Sequence, residues 1–259
     1  MIYTCYEMAR DCRSDRPEGW SYFVANYVPV ARKLVAHYGS DDAGLVNRVL
    51  LGLRKPQSSL FQTLEPVPER WFLAELRQKV LAELDLPAAE IPVDLQTVAA
   101  ALEPLTMVEK QAAWIESMRY GPEETGAMLR MSPQTVAKVC GRAPGLGRGK
   151  VDAWRRSLLA DNGAALGREA AAAGGEDCLP PKTFLDILDG RMTWRGREEL
   201  ERHVTGCWHC IDHFCRMVEI IEMLRGARPL TEEESAPYRT LLGIQPLKTS
   251  AWKRLLGRR

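Results

Sequence analysis

Residues 107–143 read MVEKQAAWIESMRYGPEETGAMLRMSPQTVAKVCGRA, and this stretch contains the clearest helix and turn signals in the chain. A helix, VEKQAAWIESMRY, precedes a break at Gly121-Pro122, and the short helix EETGAMLRM follows the break. Ser132 then offers an N-cap, and Pro133 occupies the first position of a further short helix. Two short helices joined by a turn form the outline of a helix-turn-helix.

Apolar residues recur at helical spacing on both sides of this stretch. Near the start of the chain, one helix face carries Phe23, Tyr27, Val30, Leu34 and Tyr38. Pro29 interrupts this face and predicts a kink or a restart of the helix, and Ser40 or Asp41 offers the N-cap of the next helix. No run of alternating β-branched residues bounded by turns is evident, so we expect an all-α fold.

Composition disfavours a secreted or membrane-spanning protein. The 259 residues are 46% hydrophobic, and no apolar run approaches the roughly 18–20 residues that a membrane span needs. The first residues, MIYTCYEMARDCRSDR, carry charges where a secretory signal needs apolar side chains. The seven cysteines, an odd number, are typical of a reducing compartment. We therefore expect a cytoplasmic protein without a membrane span.

Charge is balanced over the whole chain but not locally. The chain has 35 Lys and Arg against 34 Asp and Glu, whereas residues 119–156 contain eight basic and three acidic residues. A local positive excess of this kind favours contacts with DNA phosphates. A solvated pair of surface helices is the alternative explanation of this pattern.

A group of soft metal ligands lies in HVTGCWHC, residues 203–210. The spacing His203-x3-Cys207-x2-Cys210 supplies three ligands of tetrahedral zinc, and a closed structural site needs a fourth. Cys178 is the best candidate for the fourth ligand. A helical hairpin, KTFLDILDGR followed by REELERHV, would bring the chain from Cys178 back to His203.

Nearby residues offer weaker alternatives. His209 lies between the two cysteines and is predicted to point away, while Cys215 falls on the apolar side of the next helix and His213 is a further alternative. A redox role for the Cys207-x2-Cys210 pair would need the strand-helix context of thioredoxins, which is absent from the sequence pattern.

Two stretches without an apolar stripe suggest how the chain is divided. Residues 85–95 (DLPAAEIPVDL) contain two prolines, and residues 160–177 (ADNGAALGREAAAAGGED) are rich in Ala and Gly. We expect helical domains at 1–88 and 89–160, a linker at 161–175, a zinc-stapled helical domain at 176–228 and a tail at 229–259. The basic end of the tail, TSAWKRLLGRR, is assigned no function.

Three pieces of the chain resemble extracytoplasmic-function RNA polymerase sigma factors and their regulators. Residues 101–143, which begin ALEPLTMVEKQ and end TVAKVCGRA, resemble sigma region 4, and YVPVARKLVAHYGSDDAGLVNRVLLGL with ERWFLAELRQKV is similar to region 2. CLPPKTFLDILDGRMTWRGREELERHVTGCWHC resembles the zinc-binding anti-sigma domain, with its HxxxCxxC ending. Together these pieces cover about 200 of the 259 residues.

The resemblance implies a transcription regulator that binds promoter DNA and core RNA polymerase. It places the helix from Ser132 in the major groove of DNA. The candidate DNA-binding residues are Ser132, Gln134, Thr135, Lys138 and Arg142, whereas Val136 and Cys140 face the core. The metal ligands are Cys178, His203, Cys207 and Cys210, and the implied cofactor is Zn²⁺. With neither a Gly-rich phosphate loop nor a Ser/His/Asp set in the sequence, no enzymatic activity is expected.

Departures from the sigma pattern support a second interpretation. Ala43-Gly44 stand where the family has an acidic pair in its polymerase-binding helix, and Lys138-Val139 replace the Ser-Arg of the recognition helix. The alternative is a degenerate sigma fold that acts as a zinc-stapled protein–protein interaction module without promoter binding.

The zinc domain itself has two possible effects. A short linker keeps the zinc domain close to the sigma-like domains of the same chain, so its effective concentration toward them is high. This favours inhibition through an intramolecular contact. The competing possibility is that the zinc domain acts as a scaffold.

Overall fold

The structure, a computed structural model, describes residues 3–38, 43–55, 58–62, 69–84, 93–140, 159 and 162–244. Within these ranges the regular elements are thirteen α-helices and one 3-10 turn, with no β-strand. The prediction of an all-α fold is therefore confirmed. No helix in these ranges is both long enough and apolar enough to cross a lipid bilayer.

The chain divides into two compact units, residues 1–85 together with 220–259, and residues 86–219. The first unit contains helices α1 (Cys5–Arg13), α2 (Pro17–His37), α3 (Ala43–Arg54), α4 (Glu69–Glu83) and α13 (Glu232–Leu241), with the 3-10 turn Ser59–Phe61. The second contains α5 (Leu95–Leu102), α6 (Met107–Ser117), α7 (Pro122–Leu129), α8 (Pro133–Val139), α9 (Gly163–Ala172), α10 (Pro181–Leu188) and α11 (Trp194–Val204). Helix α12 (Trp208–Arg225) belongs to the second unit up to Glu219 and to the first unit from Ile220 onward.

Helix α2 is the centre of the first unit. The five residues predicted to share its face, Phe23, Tyr27, Val30, Leu34 and Tyr38, are all buried. Aromatic rings from the 3-10 turn and α4, those of Phe61 and Phe72, pack against Phe23 at centroid distances of 5.7 and 6.1 Å. This packing forms the apolar core of the first unit.

Pro29 does not restart the helix, because α2 runs without interruption from Pro17 to His37. A proline inside a helix costs about 3 kcal/mol through its missing N–H and its ring. The residues on either side, Val28 and Val30, are completely buried, and their burial offsets a cost of this size. The predicted N-cap at Ser40 or Asp41 lies outside the described residues.

The stretch predicted as a linker contains a packed helix, α9. Its Leu166 and Ala170 are completely inaccessible to solvent. Gly163 lies so close to α6 that a Cβ there would be 2.2 Å from the Ser117 carbonyl oxygen. Alanine and glycine therefore serve here as packing residues, and the close approach that they allow replaces the apolar stripe that the sequence lacks.

The stretch predicted as a tail begins with folded structure. Thr231 and Glu234 form a capping box at the start of α13, and the Leu230 N–H donates a 2.8 Å hydrogen bond to the Ala25 carbonyl oxygen of α2. Ser235 is completely buried. The basic end from residue 245 onward lies outside the described residues.

Candidate metal centre

Four side chains converge in the second unit: Cys178, His203, Cys207 and Cys210. Their potential ligand atoms all lie within 4.8 Å of one another. These are the four residues selected from the sequence, and the cluster that they form can hold a metal ion. Cys210 is completely buried, and the other three are partly accessible.

Three turns bring these ligands together. Cys178 lies in the turn before α10, where its N–H donates to the Gly175 carbonyl oxygen and its sulfur accepts a hydrogen bond from the Gly175 N–H. His203 is in the last turn of α11, and two successive hydrogen bonds, Gly206 N–H to the His203 carbonyl and Cys207 N–H to the Val204 carbonyl, close the turn beyond it. Cys210 then lies in the first turn of α12.

Two of the distances between ligand atoms are close to those expected around a tetrahedral ion. Zn–S bonds of about 2.3 Å and Zn–N bonds of about 2.0–2.1 Å place two tetrahedral sulfurs about 3.8 Å apart, and a sulfur and a nitrogen about 3.6 Å apart. The Cys178 and Cys207 sulfurs are 3.7 Å apart, and the His203 Nε2 atom is 3.2 Å from the Cys210 sulfur. The cysteines are free thiols in this structure, and a separation of 3.7 Å is well beyond a disulfide bond.

Burial and the neighbouring thiols favour the neutral form of Cys210 in the absence of a cation. Burial, with the neighbouring thiols Cys207 and Cys178, raises the pKa of the Cys210 thiol, while a hydrogen bond from the Leu179 N–H acts in the opposite direction. A bound dication would reverse the net effect, because it stabilises the thiolate. Three adjacent sulfurs and one imidazole therefore form a donor set suited to a soft or borderline metal ion.

The alternative ligands lie outside this cluster. His209 Nδ1 is 3.1 Å from the Ala170 carbonyl oxygen, so the ring donates to the C-terminal end of α9. The same ring lies against Gly174, where a Cβ would be 2.7 Å from it. His213 is buried beside the Phe184 ring at 4.8 Å, and Cys215 is buried near the Gln111 carbonyl oxygen of α6.

Sequence reasoning missed the residues of α6 that support the metal cluster. The Lys110 ammonium group donates a 2.7 Å hydrogen bond to the Thr205 carbonyl oxygen, at the end of α11 between two of the four ligands. Lys110 is only 4% exposed, and burial lowers its pKa. The Trp114 and Trp208 rings pack at a centroid distance of 5.0 Å, beside Cys207. The i,i+4 spacing of Lys110 and Trp114 places them on one face of α6, but it does not indicate the contact with Thr205, which is 95 residues away in sequence.

Beyond the metal-binding turn, a buried polar network of Trp114, Asp212 and Arg216 joins α6 to α12. The Trp114 indole N–H donates to Asp212 at 3.1 Å, and the other carboxylate oxygen of Asp212 lies 2.6 Å from the Arg216 guanidinium. Asp212 and Arg216 are both buried. Their opposite charges at i,i+4 spacing on one helix were the sequence signal for this pair.

Four of the five candidate DNA-binding residues lie on α8 or at its N-cap, and these four are exposed. Ser132 is the N-cap of α8, where its hydroxyl accepts a 3.1 Å hydrogen bond from the Thr135 N–H and lies 2.7 Å from the Thr135 hydroxyl. Gln134 and Lys138 project from the same short helix.

Val136 and Cys140 are completely buried, as predicted. Arg142 lies outside the described residues.

The turn between α7 and α8 is tight and uses three residues, Arg130 to Ser132. Arg130 adopts the left-handed conformation with φ of 56°, and the Met131 N–H donates to the Gly126 carbonyl oxygen at 2.8 Å. A Cβ at Gly126 would lie 2.7 Å from the Met131 carbonyl oxygen. Glycine at this position therefore allows the turn to fold back on α7.

In comparisons with known proteins, the chain matches no family model, no curated protein and no solved structure.

Proposed function

We propose that this protein is a sigma-factor-like transcription regulator that binds promoter DNA and core RNA polymerase, with a structural zinc site in the same folded unit as its DNA-binding helix. The observation that carries the proposal is the cluster of three cysteines and one histidine beside the α6–α8 helices. The resemblance of the three sequence pieces to sigma regions 2 and 4 and to an anti-sigma domain supplies the functional class.

Zinc is the metal that suits this cluster best. Thiolate and imidazole ligands at tetrahedral spacing favour zinc over the hard cations Mg²⁺ and Ca²⁺, which prefer oxygen. Four protein ligands complete the coordination of a structural zinc ion and leave no position for a substrate or an activated water molecule. The cluster therefore supports a structural metal rather than a catalytic one.

Helix α8 is suited to the major groove. Its exposed Gln134 can hydrogen-bond to a base edge, and its exposed Lys138 can contact a base edge or a phosphate. The opposite side of the helix, with Val136 and Cys140, anchors it to the core. The N-cap at Ser132 engages Thr135, so these two residues hold the start of the helix and offer hydroxyl oxygens at its surface.

The test of this proposal is binding by the full chain. We expect it to co-elute with core RNA polymerase, and its affinity for promoter DNA to fall steeply with salt concentration, because bound phosphates release counterions. A chain that neither co-elutes with the polymerase nor shows a salt-dependent DNA affinity would contradict the proposal.

A second candidate function is a protein–protein interaction module, and one observation favours it. An open groove between the start of α7 and α8 is lined by Glu123, Glu124, Pro133, Gln134 and Ala137. Two carboxylates beside the proposed DNA face repel phosphates and suit a basic partner segment instead. A salt-dependent DNA affinity distinguishes the two functions, since the interaction module lacks it.

A further inference from the structure

Helix α6 lies between the DNA-binding candidate α8 and the segment that holds the metal ligands. One side of α6 contributes Ala112 to a buried cluster with Val136 and Cys140 of α8. Leu129, Met131 and Val139 pack around the same cluster. These apolar contacts set the position of α8, because a seven-residue helix has little stability of its own.

The other side of α6 contacts the metal-binding segment at three points. Lys110 donates to the Thr205 carbonyl oxygen, the Trp114 ring packs on Trp208, and the Trp114 N–H donates to Asp212. Thr205 is two residues from His203 and from Cys207, and Trp208 directly follows Cys207. The contacts to Thr205 and Trp208 therefore lie at the turn that carries two of the four ligands, and the contact to Asp212 lies farther along α12.

Among these three contacts, the hydrogen bond from Lys110 constrains the metal-binding turn most. Lys110 is almost inaccessible to solvent as a residue, and its ammonium group donates to a carbonyl oxygen at the end of α11. A helix end has carbonyl oxygens without intrahelical partners, and a buried cation that satisfies one of them holds that end in place. If the turn between α11 and α12 loosened, Lys110 would lose this acceptor while still buried, at considerable cost.

We propose that metal binding and the packing of α8 are thermodynamically coupled through α6, with Lys110 as the positioning residue for the metal-binding turn. The coupling is positive, so the metal segment acts as a scaffold for α8 rather than as its inhibitor. This inference rests on the proposed zinc site, but it does not require that α8 binds DNA. Because coupling is reciprocal, a change at α6 alters zinc affinity, and zinc alters the order of α8.

The first experiment measures zinc affinity by competition with a chromophoric chelator. Lys110→Met should weaken zinc binding by about tenfold, as loss of a supporting contact commonly does around metal sites. Lys110→Arg retains a cationic donor and should restore most of the affinity. Lys182→Met, which removes an exposed lysine of α10, is the matched control and should leave the affinity unchanged. Equal affinities for Lys110→Met and Lys182→Met would overturn the assignment.

The second experiment needs no variant and therefore does not depend on whether Lys110→Met folds. Hydrogen exchange of the full chain is measured with zinc bound and after chelation. We expect chelation to speed exchange at the Val136 and Cys140 amides, which are hydrogen-bonded within α8, by about tenfold, while amides of α2 in the first unit are unchanged. Unchanged exchange in α8 would refute the coupling, and so would an equal increase in α2, which indicates global unfolding.

These measurements separate the two proposals. Failure to bind zinc would remove the basis of both. Zinc binding with unaltered exchange in α8 would overturn the coupling alone, whereas a coupled α8 without DNA affinity would contradict only the proposed promoter binding.

Discussion

The Tyr120 hydroxyl donates a 2.6 Å hydrogen bond to the Glu219 carboxylate, and both groups are buried. Tyr120 follows α6, and Glu219 lies on α12 at the last position of the second unit. This bond extends the contact between α6 and α12 beyond the metal-binding turn. A carboxylate held away from water depends strongly on such donors.

Replacing this donor should destabilise the second unit. Tyr120→Phe leaves the ring in place but removes a hydrogen bond to a buried charge, and we expect the free energy of unfolding to fall by about 1–3 kcal/mol. Urea unfolding measures the change. The control is Tyr6→Phe, at a partly accessible position on α1, which should change stability much less. Equal effects of the two substitutions would show that the bond to Glu219 contributes little.

The metal content of the chain can be measured directly. Protein purified without added metal should contain about one zinc ion per chain, because structural sites bind zinc tightly. Cys207→Ser and His203→Ala should abolish this content by removing ligands of the cluster. Cys5→Ser removes a partly accessible thiol of the first unit and should retain zinc. Zinc that persists in Cys207→Ser would disprove the ligand assignment.

Binding to DNA should depend on Lys138. Lys138→Ala should weaken binding, and if the ammonium group contacts a phosphate, the slope of log affinity against log salt should decrease by about one. Lys182→Ala, the exposed lysine of α10, is the control for a general loss of charge. Affinity that is the same for Lys138→Ala and Lys182→Ala would favour the interaction module.

Two glycines of α9 can test whether this helix is tightly packed or is a flexible linker. A Cβ at Gly163 would lie 2.2 Å from the Ser117 carbonyl oxygen, whereas a Cβ at Gly167 would meet its nearest atom at 3.6 Å. Gly163→Ala should therefore destabilise the second unit by about 1–3 kcal/mol through overpacking. Gly167→Ala should be neutral or slightly stabilising, because alanine favours the helix. Thermal unfolding compares them, and a flexible linker would tolerate both substitutions equally.

The stability of the second unit should decrease at acidic pH because of His213. Burial, with the nearby charge of Arg216 and the His209 ring, lowers the pKa of His213 to about 3, against an unfolded value of 6.5. Below pH 6.5 the unfolded chain therefore binds a proton that the folded chain does not. This difference in proton binding lowers the free energy of unfolding as the pH falls from 6.5 toward 3, by about 1.4 kcal/mol per pH unit inside that window.

The variant His213→Gln isolates the contribution of His213, since glutamine does not titrate. Urea unfolding at pH 7, 6 and 5 should show a smaller dependence on pH for the variant than for the natural chain. Protonation of the metal ligands contributes to both proteins and cancels in the comparison. Identical dependence on pH would show that the pKa of His213 is the same in the folded and unfolded chains, which would contradict the prediction.

Local features of the fold could be read from the sequence because they depend on residues within one helical turn of each other. Ser132 and Pro133 define the start of α8, and the burial of Val136 and Cys140 follows from their spacing. The same applies to His203, Cys207 and Cys210, whose spacing across a single turn makes them candidate ligands. Local sequence could not show that α2 continues through Pro29. The burial of the neighbouring residues outweighs the low helix propensity of proline, and that burial depends on the tertiary structure.

By itself, the sequence determined the helical class, the capped start of α8 and the four candidate metal ligands, since periodicity, caps and ligand type are properties of short segments. The tertiary structure alone decided that α9 packs tightly through Gly163, that α13 folds onto α2, and that Lys110 meets Thr205 across 95 residues of sequence. Each of these depends on a close approach or on the removal of a charge from water, and both require the partner segment to be in place.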